Sequence, residues 1–99
     1  HRNSILDGIP QALPALALAD KVLGKAEKAG LIDKTDEHPI PIQDEADLGK
    51  LLLAIVHTAR AKGLEPERAL REATRELQVE IRAWELDPDN DAGVIGSSN

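Results

Sequence analysis

The chain predicts an all-α fold: a small antiparallel helical bundle of three main helices, completed by dimerisation. Three observations predict it. Aromatic residues make up 1% of the composition, with Trp84 alone, so the core has to be built from Leu, Ile, Val and Ala. Apolar residues recur at spacings of three and four over three separate stretches, the period of a helix with one buried face. Pro14, Gly30, Gly63 and Pro66 stand where helices should open or close.

Residues 1–10, HRNSILDGIP, read as an irregular entry with a turn at Asp7-Gly8. Ile5, Leu6 and Ile9 are apolar enough to pack onto something. From Pro14 a helix should run to about Lys28, with Ala15, Leu16, Leu18, Ala19, Val22, Leu23 and Ala26 as its apolar face. Lys25 and Lys28 suit its C-terminal dipole, and Gly30 suits the position just past its end.

Leu31 to Gln43 is a loop, because Pro39 and Pro41 forbid a continuous helix. Ile40 and Ile42 flank Pro41 and predict an extended stretch laid over the core. Asp33, Asp36, Glu37 and His38 are neighbours here, but their spacing matches no metal-ligand template, and a solvated loop explains them.

The longest apolar-periodic run follows, Asp44 to Lys62, closed by Gly63. Leu48, Leu51, Leu52, Ile55, Val56 and Ala59 form its stripe, and Leu53 widens it. A helix apolar over so much of its circumference should have neighbours on two sides. The connector Leu64 to Glu67 is short enough to make the last two helices antiparallel neighbours. The last helix runs from about Pro66 to Glu85, with Ala69, Leu70, Ala73, Leu77, Ile81 and Trp84 on one face and Val79 as a possible second contact. Three helices of this length enclose a thin core. The surplus around Leu53 and Val56 therefore implies that two chains pair.

Residues 1–86 thus read as one domain and 87–99 as a flexible tail of turn formers with little to bury. The first residue is His1 rather than Met, which suggests the C-terminal part of a longer protein. A net charge of -6 argues against a nucleic-acid polymer or an anionic membrane as partner. No apolar run approaches the ~20 residues of a membrane helix. The chain has no cysteine, which excludes disulfides and thiolate metal sites and suits a cytoplasmic protein.

Three segments carry a resemblance. Ser4 to Leu16, SILDGIPQALPAL, resembles the opening of the C-terminal domain of MazG-type nucleoside triphosphate pyrophosphohydrolases. Ala46 to Arg60, ADLGKLLLAIVHTAR, is similar to that family's central-to-late helix, and Gly63 to Thr74, GLEPERALREAT, to its next connector and helix. The resemblance implies an all-α NTP pyrophosphatase fold. It also implies a parent enzyme that converts a nucleoside triphosphate and water to the monophosphate and pyrophosphate. Its Mg²⁺ would sit in a carboxylate cage drawn from an EExxE helix and an ExxD helix, neutralising phosphate charge and activating water.

Residue by residue, the transfer removes most of that site. The Leu31–Gln43 loop lies where the EExxE helix should be. The ExxD positions hold Asp47 and Lys50, and a lysine ammonium repels a divalent cation. His57 takes the place of a common Asn. Glu76 falls where a phosphate-meeting Lys is found, and Val79 and Glu80 where an Arg-rich patch is found.

Glu45 and Asp47 stand as the candidate metal ligands, against a simpler reading in which acids in a first turn answer the helix dipole. No catalytic residue is assigned: His57 and His38 have no partner at a defined spacing, and no phosphate-binding glycine loop occurs. Arg60, Arg68, Arg71, Arg75 and Arg82 alternate with Glu67, Glu72, Glu76 and Glu80, as on a solvated face. Leu48, Leu51, Leu52, Leu53, Ile55 and Val56 are the candidates for dimer or core packing. The preferred expectation is a catalytically degenerate domain that dimerises or braces an upstream catalytic domain of the same protein. The alternative is an active pyrophosphohydrolase domain with a rearranged metal site using Glu45 and Asp47, with help from Asp36 or Glu37.

Overall fold

A computed structural model describes residues 3–33 and 39–87. It contains α1 (Ala15–Lys28), α2 (Glu45–Ala61) and α3 (Pro66–Leu86), and no strand among the described residues. The all-helical architecture is therefore as the composition and periodicity predict. Asp36, Glu37, His38 and the tail from residue 88 onward lie outside the described residues.

Each helix boundary has a local cause. α1 closes on a Schellman motif, in which Gly30 N–H donates to Glu27 O at 3.0 Å and Leu31 N–H to Ala26 O at 2.9 Å. The φ of +78° at Gly30 is the left-handed conformation that motif requires. Its apolar contact is made as well, because Ala26 and Leu31 are both buried in the core. α2 opens on Asp44, whose carboxylate accepts the Asp47 N–H at 2.9 Å. It ends on the same motif, with Gly63 N–H donating to Arg60 O and Leu64 N–H to Ala59 O. α3 opens on Glu65, which accepts from Glu67 N–H and Arg68 N–H at 3.0 and 3.1 Å, with Pro66 at the first helical position.

The core joins the entry segment to α1 and α3. Leu6, Ile9, Leu18, Val22, Ala26, Leu31 and Ile81 form its buried cluster, with Ile5, Leu13, Ile32, Leu77 and Trp84 packed partly buried around it. Each fully buried aliphatic side chain contributes about 1.5–3 kcal/mol. The entry segment is an ordered turn: Asp7 N–H donates to Ser4 O, while Ser4 N–H donates back to Asp7 Oδ2 at 3.0 Å. That turn drives Leu6 and Ile9 inward.

α3 holds this segment along its length with polar side chains. Ile5 N–H donates to Glu85 Oε2 at 2.9 Å, Gln78 Nε2 to Gln11 Oε1 at 3.1 Å, and Arg71 to Gln11 O and Leu13 O at 3.0 and 2.8 Å. Ala15 N–H donates to Glu67 Oε2 at 2.8 Å. The first turns of α1 and α3 therefore lie together, as an up-down-up order of helices demands.

Several packing expectations need correction. Leu16 and Leu23 of α1 are exposed, because the buried face narrows to Ala15, Leu18, Val22 and Ala26. On α3 the face turned to the entry segment and α1 carries Arg71, Thr74, Leu77, Gln78 and Ile81, whereas Ala69, Ala73 and Val79 are exposed. Ile40 is exposed rather than laid over the core. Ile42 N–H donates to Ile40 O at 2.7 Å, a γ-turn about Pro41 that bends the stretch instead of extending it. The largest difference concerns α2. It has no packed contact with α1 and meets α3 sparingly, so the connector turns the chain without closing the two helices along their length.

Candidate functional site

α2 carries both candidate chemistries: the acidic first turn and the apolar stripe. In the first turn, Asp47 is committed to capping. Its backbone N–H is held by Asp44, and its Oδ2 accepts the Gln43 N–H at 3.4 Å. Two residues along a helix are turned by about 200°, so Glu45 projects from nearly the opposite side. Glu45, Asp47 and Lys50 are all exposed. A Mg²⁺ cage needs several oxygens converging on one point from a fixed shell. Among the described residues these two carboxylates diverge and Lys50 stands one turn from Asp47, so Glu45 and Asp47 by themselves do not form such a shell. Among the described residues no group of three or more His, Asp or Glu side chains could hold a metal. His57 is exposed on α2.

The stripe behaves differently from a core. Ala59, at 8% exposure, is the buried residue of α2. Leu51 and Leu52 are half-buried, whereas Leu48, Ile55 and Val56 remain 39%, 49% and 39% exposed and Leu53 71% exposed. Within one chain these six residues therefore build no core, which corrects the packing half of the expectation. The reason is geometric: α1 and the entry segment occupy the packed face of α3, leaving α2 anchored at its C-terminal end.

At that end α2 and α3 border an apolar groove lined by Ala54, Ile55, Thr58, Ala59, Leu64 and Ala69. Sequence reasoning placed Leu64 and Ala69 elsewhere, in a bare connector and on the core face. The signal was present in Leu64, an apolar residue directly after a helix-ending glycine, where a Schellman motif directs it back toward Ala59. Leu64 stays exposed all the same.

α2 also has an uneven charge distribution. Asp44, Glu45 and Asp47 lie at its start and Arg60 and Lys62 at its end, with Lys50 between. Glu45, Asp47, Arg60 and Lys62 form no salt bridge within the chain among the described residues. The ion pairs seen on α3 are Arg71–Glu67 at 3.5 Å and Arg75–Glu72 at 2.6 Å. No described helix is long and apolar enough to cross a membrane.

Comparison with known proteins adds one relative. Over 85 residues the chain is 37% identical to a Streptomyces cacaoi protein that bears the name "Uncharacterized 26.1 kDa protein in blaB 3'region". The match covers 86% of this chain and 33% of that protein, so the chain spans about a third of the length of the curated relative it matches. No family model matches the chain, and no solved structure matches it.

Proposed function

We propose that this domain is the C-terminal helical part of a MazG-like nucleoside triphosphate pyrophosphohydrolase. Its own work is assembly: it dimerises or braces, and the Mg²⁺-dependent conversion of nucleoside triphosphate to monophosphate and pyrophosphate belongs to an upstream domain. The family half of the reading is supported by the likeness of Ser4–Leu16, Ala46–Arg60 and Gly63–Thr74. Its Ser4–Leu16 segment is also the one that α3 clasps, so the similarity falls on residues the fold depends on.

The assembly half is carried by one observation. α2 is helical over Glu45–Ala61 yet shows solvent Leu48, Ile55 and Val56 along its stripe. Surface of this kind costs free energy in water and is retained where a partner covers it.

Two measurements test the reading. The 99-residue chain, incubated with mixed nucleoside triphosphates and Mg²⁺ or Mn²⁺, should release no pyrophosphate. Turnover abolished by Asp47→Ala would instead establish the alternative, a rearranged metal site using Glu45 and Asp47. Light scattering should give twice the 10.7 kDa of one chain, and a strict monomer at high concentration would remove dimerisation as the role of α2.

A further inference from the structure

We propose that Asp7–Gly8 is a site of spontaneous backbone isomerisation to isoaspartate, and that the clasp of α3 on the entry segment holds it shut. Both residues are exposed in the entry turn. Glycine has no side chain to screen its amide nitrogen, and a Cβ at Gly8 would meet nothing within 4 Å. Gly8 N–H donates no hydrogen bond among the described residues. The chemistry needs only water. The Gly8 nitrogen attacks Cγ of the protonated Asp7 carboxyl and a C–N bond forms. The nitrogen's proton leaves with one carboxyl oxygen as water. Water then opens the five-membered imide at the main-chain carbonyl carbon of Asp7. The bond that breaks is the original peptide bond, so the chain now runs through Cγ and the main-chain carbonyl becomes a free carboxylate.

The folded turn opposes the first step in two ways. Ile9 N–H donates to Leu6 O at 3.2 Å across Asp7 and Gly8, and Gly8 alone of the two has a positive φ, +89°. That is a type II turn, in which the residue before the glycine has ψ of about +120°. The Gly8 nitrogen is then turned away from the Cβ side of Asp7, where the ring must close. The Asp7 carboxylate is meanwhile drawn toward Ser4, whose N–H it accepts at 3.0 Å. Releasing the turn is not a local event. Leu6 and Ile9, on either side, are 1% and 8% exposed in the core. Ile5, Gln11 and Leu13 are tied to α3 through Glu85, Gln78 and Arg71. Swinging the Asp7–Gly8 peptide round carries Leu6 or Ile9 out of its seat, so isomerisation proceeds from chains whose entry segment has left α3. The product has one more main-chain atom between Leu6 and Ile9 and cannot rebuild the turn that seats both. Isomerisation therefore makes an opened clasp permanent.

The test incubates the whole 99-residue chain in warm neutral buffer, with and without denaturing urea. Electron-transfer fragmentation of the peptide that contains position 7 reads the isoaspartate. The unfolded chain should accumulate it roughly tenfold faster or more, because folding removes the reactive conformer. Equal rates overturn the protection, and no isoaspartate at position 7 in either state overturns the site. These two arms need no variant. Arg71→Ala, shown to be helical by circular dichroism, should isomerise faster than the wild type. Arg75→Ala, which loses only the surface pair with Glu72, should match the wild type. Glu85→Ala, which frees Ile5 N–H, repeats the comparison at the other end of the clasp. Helical Arg71→Ala and Glu85→Ala chains that isomerise no faster than the wild type overturn the coupling to α3. The separated isoaspartate chain should melt below the unmodified one, and equal midpoints overturn the claim that the opening becomes permanent.

Discussion

Glu67 caps a helix that is not its own: its Oε2 accepts the Ala15 N–H at 2.8 Å, so the first turn of α3 supplies the acceptor that Pro14 cannot offer α1. Pro14 has no side-chain oxygen, and α1 has no acidic residue in its first turn. A carboxylate at this place satisfies an orphan amide and faces the positive end of the helix dipole. Glu67→Ala should destabilise the fold by about 1 kcal/mol, the usual cost of a lost cap. Glu67→Gln, which keeps an acceptor and loses the charge, should cost less. Urea unfolding followed by circular dichroism measures both.

Arg71 should matter more. Its guanidinium donates to Gln11 O and Leu13 O at 3.0 and 2.8 Å, gripping two carbonyls of a segment with no helix of its own. Hydrogen bonds from a charged group contribute about 1.5–3 kcal/mol, so Arg71→Ala should cost about 2 kcal/mol or more. Arg71→Lys should recover little, because an ammonium has no planar fork to span both carbonyls. Hydrogen exchange should localise the loss to residues 5–15.

Burial sets a sharp contrast between Leu18 and Leu53. Leu18 is fully buried and Leu53 is 71% exposed. Leu18→Ala should cost about 2–5 kcal/mol, a large fraction of the stability of so small a domain. Leu53→Ala should shift stability by less than about 0.5 kcal/mol. The denaturation midpoints of the two variants decide the comparison.

Two glycines should respond with opposite sign. A Cβ at either Gly30 or Gly49 meets nothing within 4 Å, so space does not separate them. Gly30 has φ +78°, where a side chain costs roughly 1–2 kcal/mol, and Gly30→Ala should lower the melting temperature. Gly49 lies inside α2 with ordinary helical backbone, and Gly49→Ala should stabilise that helix by up to about 1 kcal/mol. Thermal unfolding of the two variants reads the sign directly.

The helix boundaries were legible because their causes are local. Asp44, Gly63 and Gly30 act through bonds within five positions, and Pro66 through its own fixed φ, and sequence displays such local causes. The clasp on the entry segment was not legible. Glu67 and Arg71 look in sequence like an ordinary i,i+4 surface pair, and their partners Ala15, Gln11 and Leu13 lie more than fifty positions earlier. The splay of α2 was hidden for a related reason. Periodicity shows that Leu48, Leu52 and Ile55 share a face, but two faces compete for α3, and only the packing of Leu6, Ile9 and Leu18 shows which one takes it. The capping duty of Asp47 became visible only with the Gln43 N–H beside its carboxylate.

The contact between Ile5 N–H and Glu85 Oε2 joins positions 80 residues apart. A chain emerging from the ribosome cannot make it, or the Gln78 and Arg71 contacts, until nearly all of α3 has been synthesised. α1 must therefore wait, with Leu18 and Val22 exposed, while α2 is made between the two halves of the core. Loop closure over such a distance slows folding relative to a bundle of sequential hairpins. The domain is thus expected to fold late, in one step, around its last helix, and a nascent chain stopped short of Gln78 should remain open to protease.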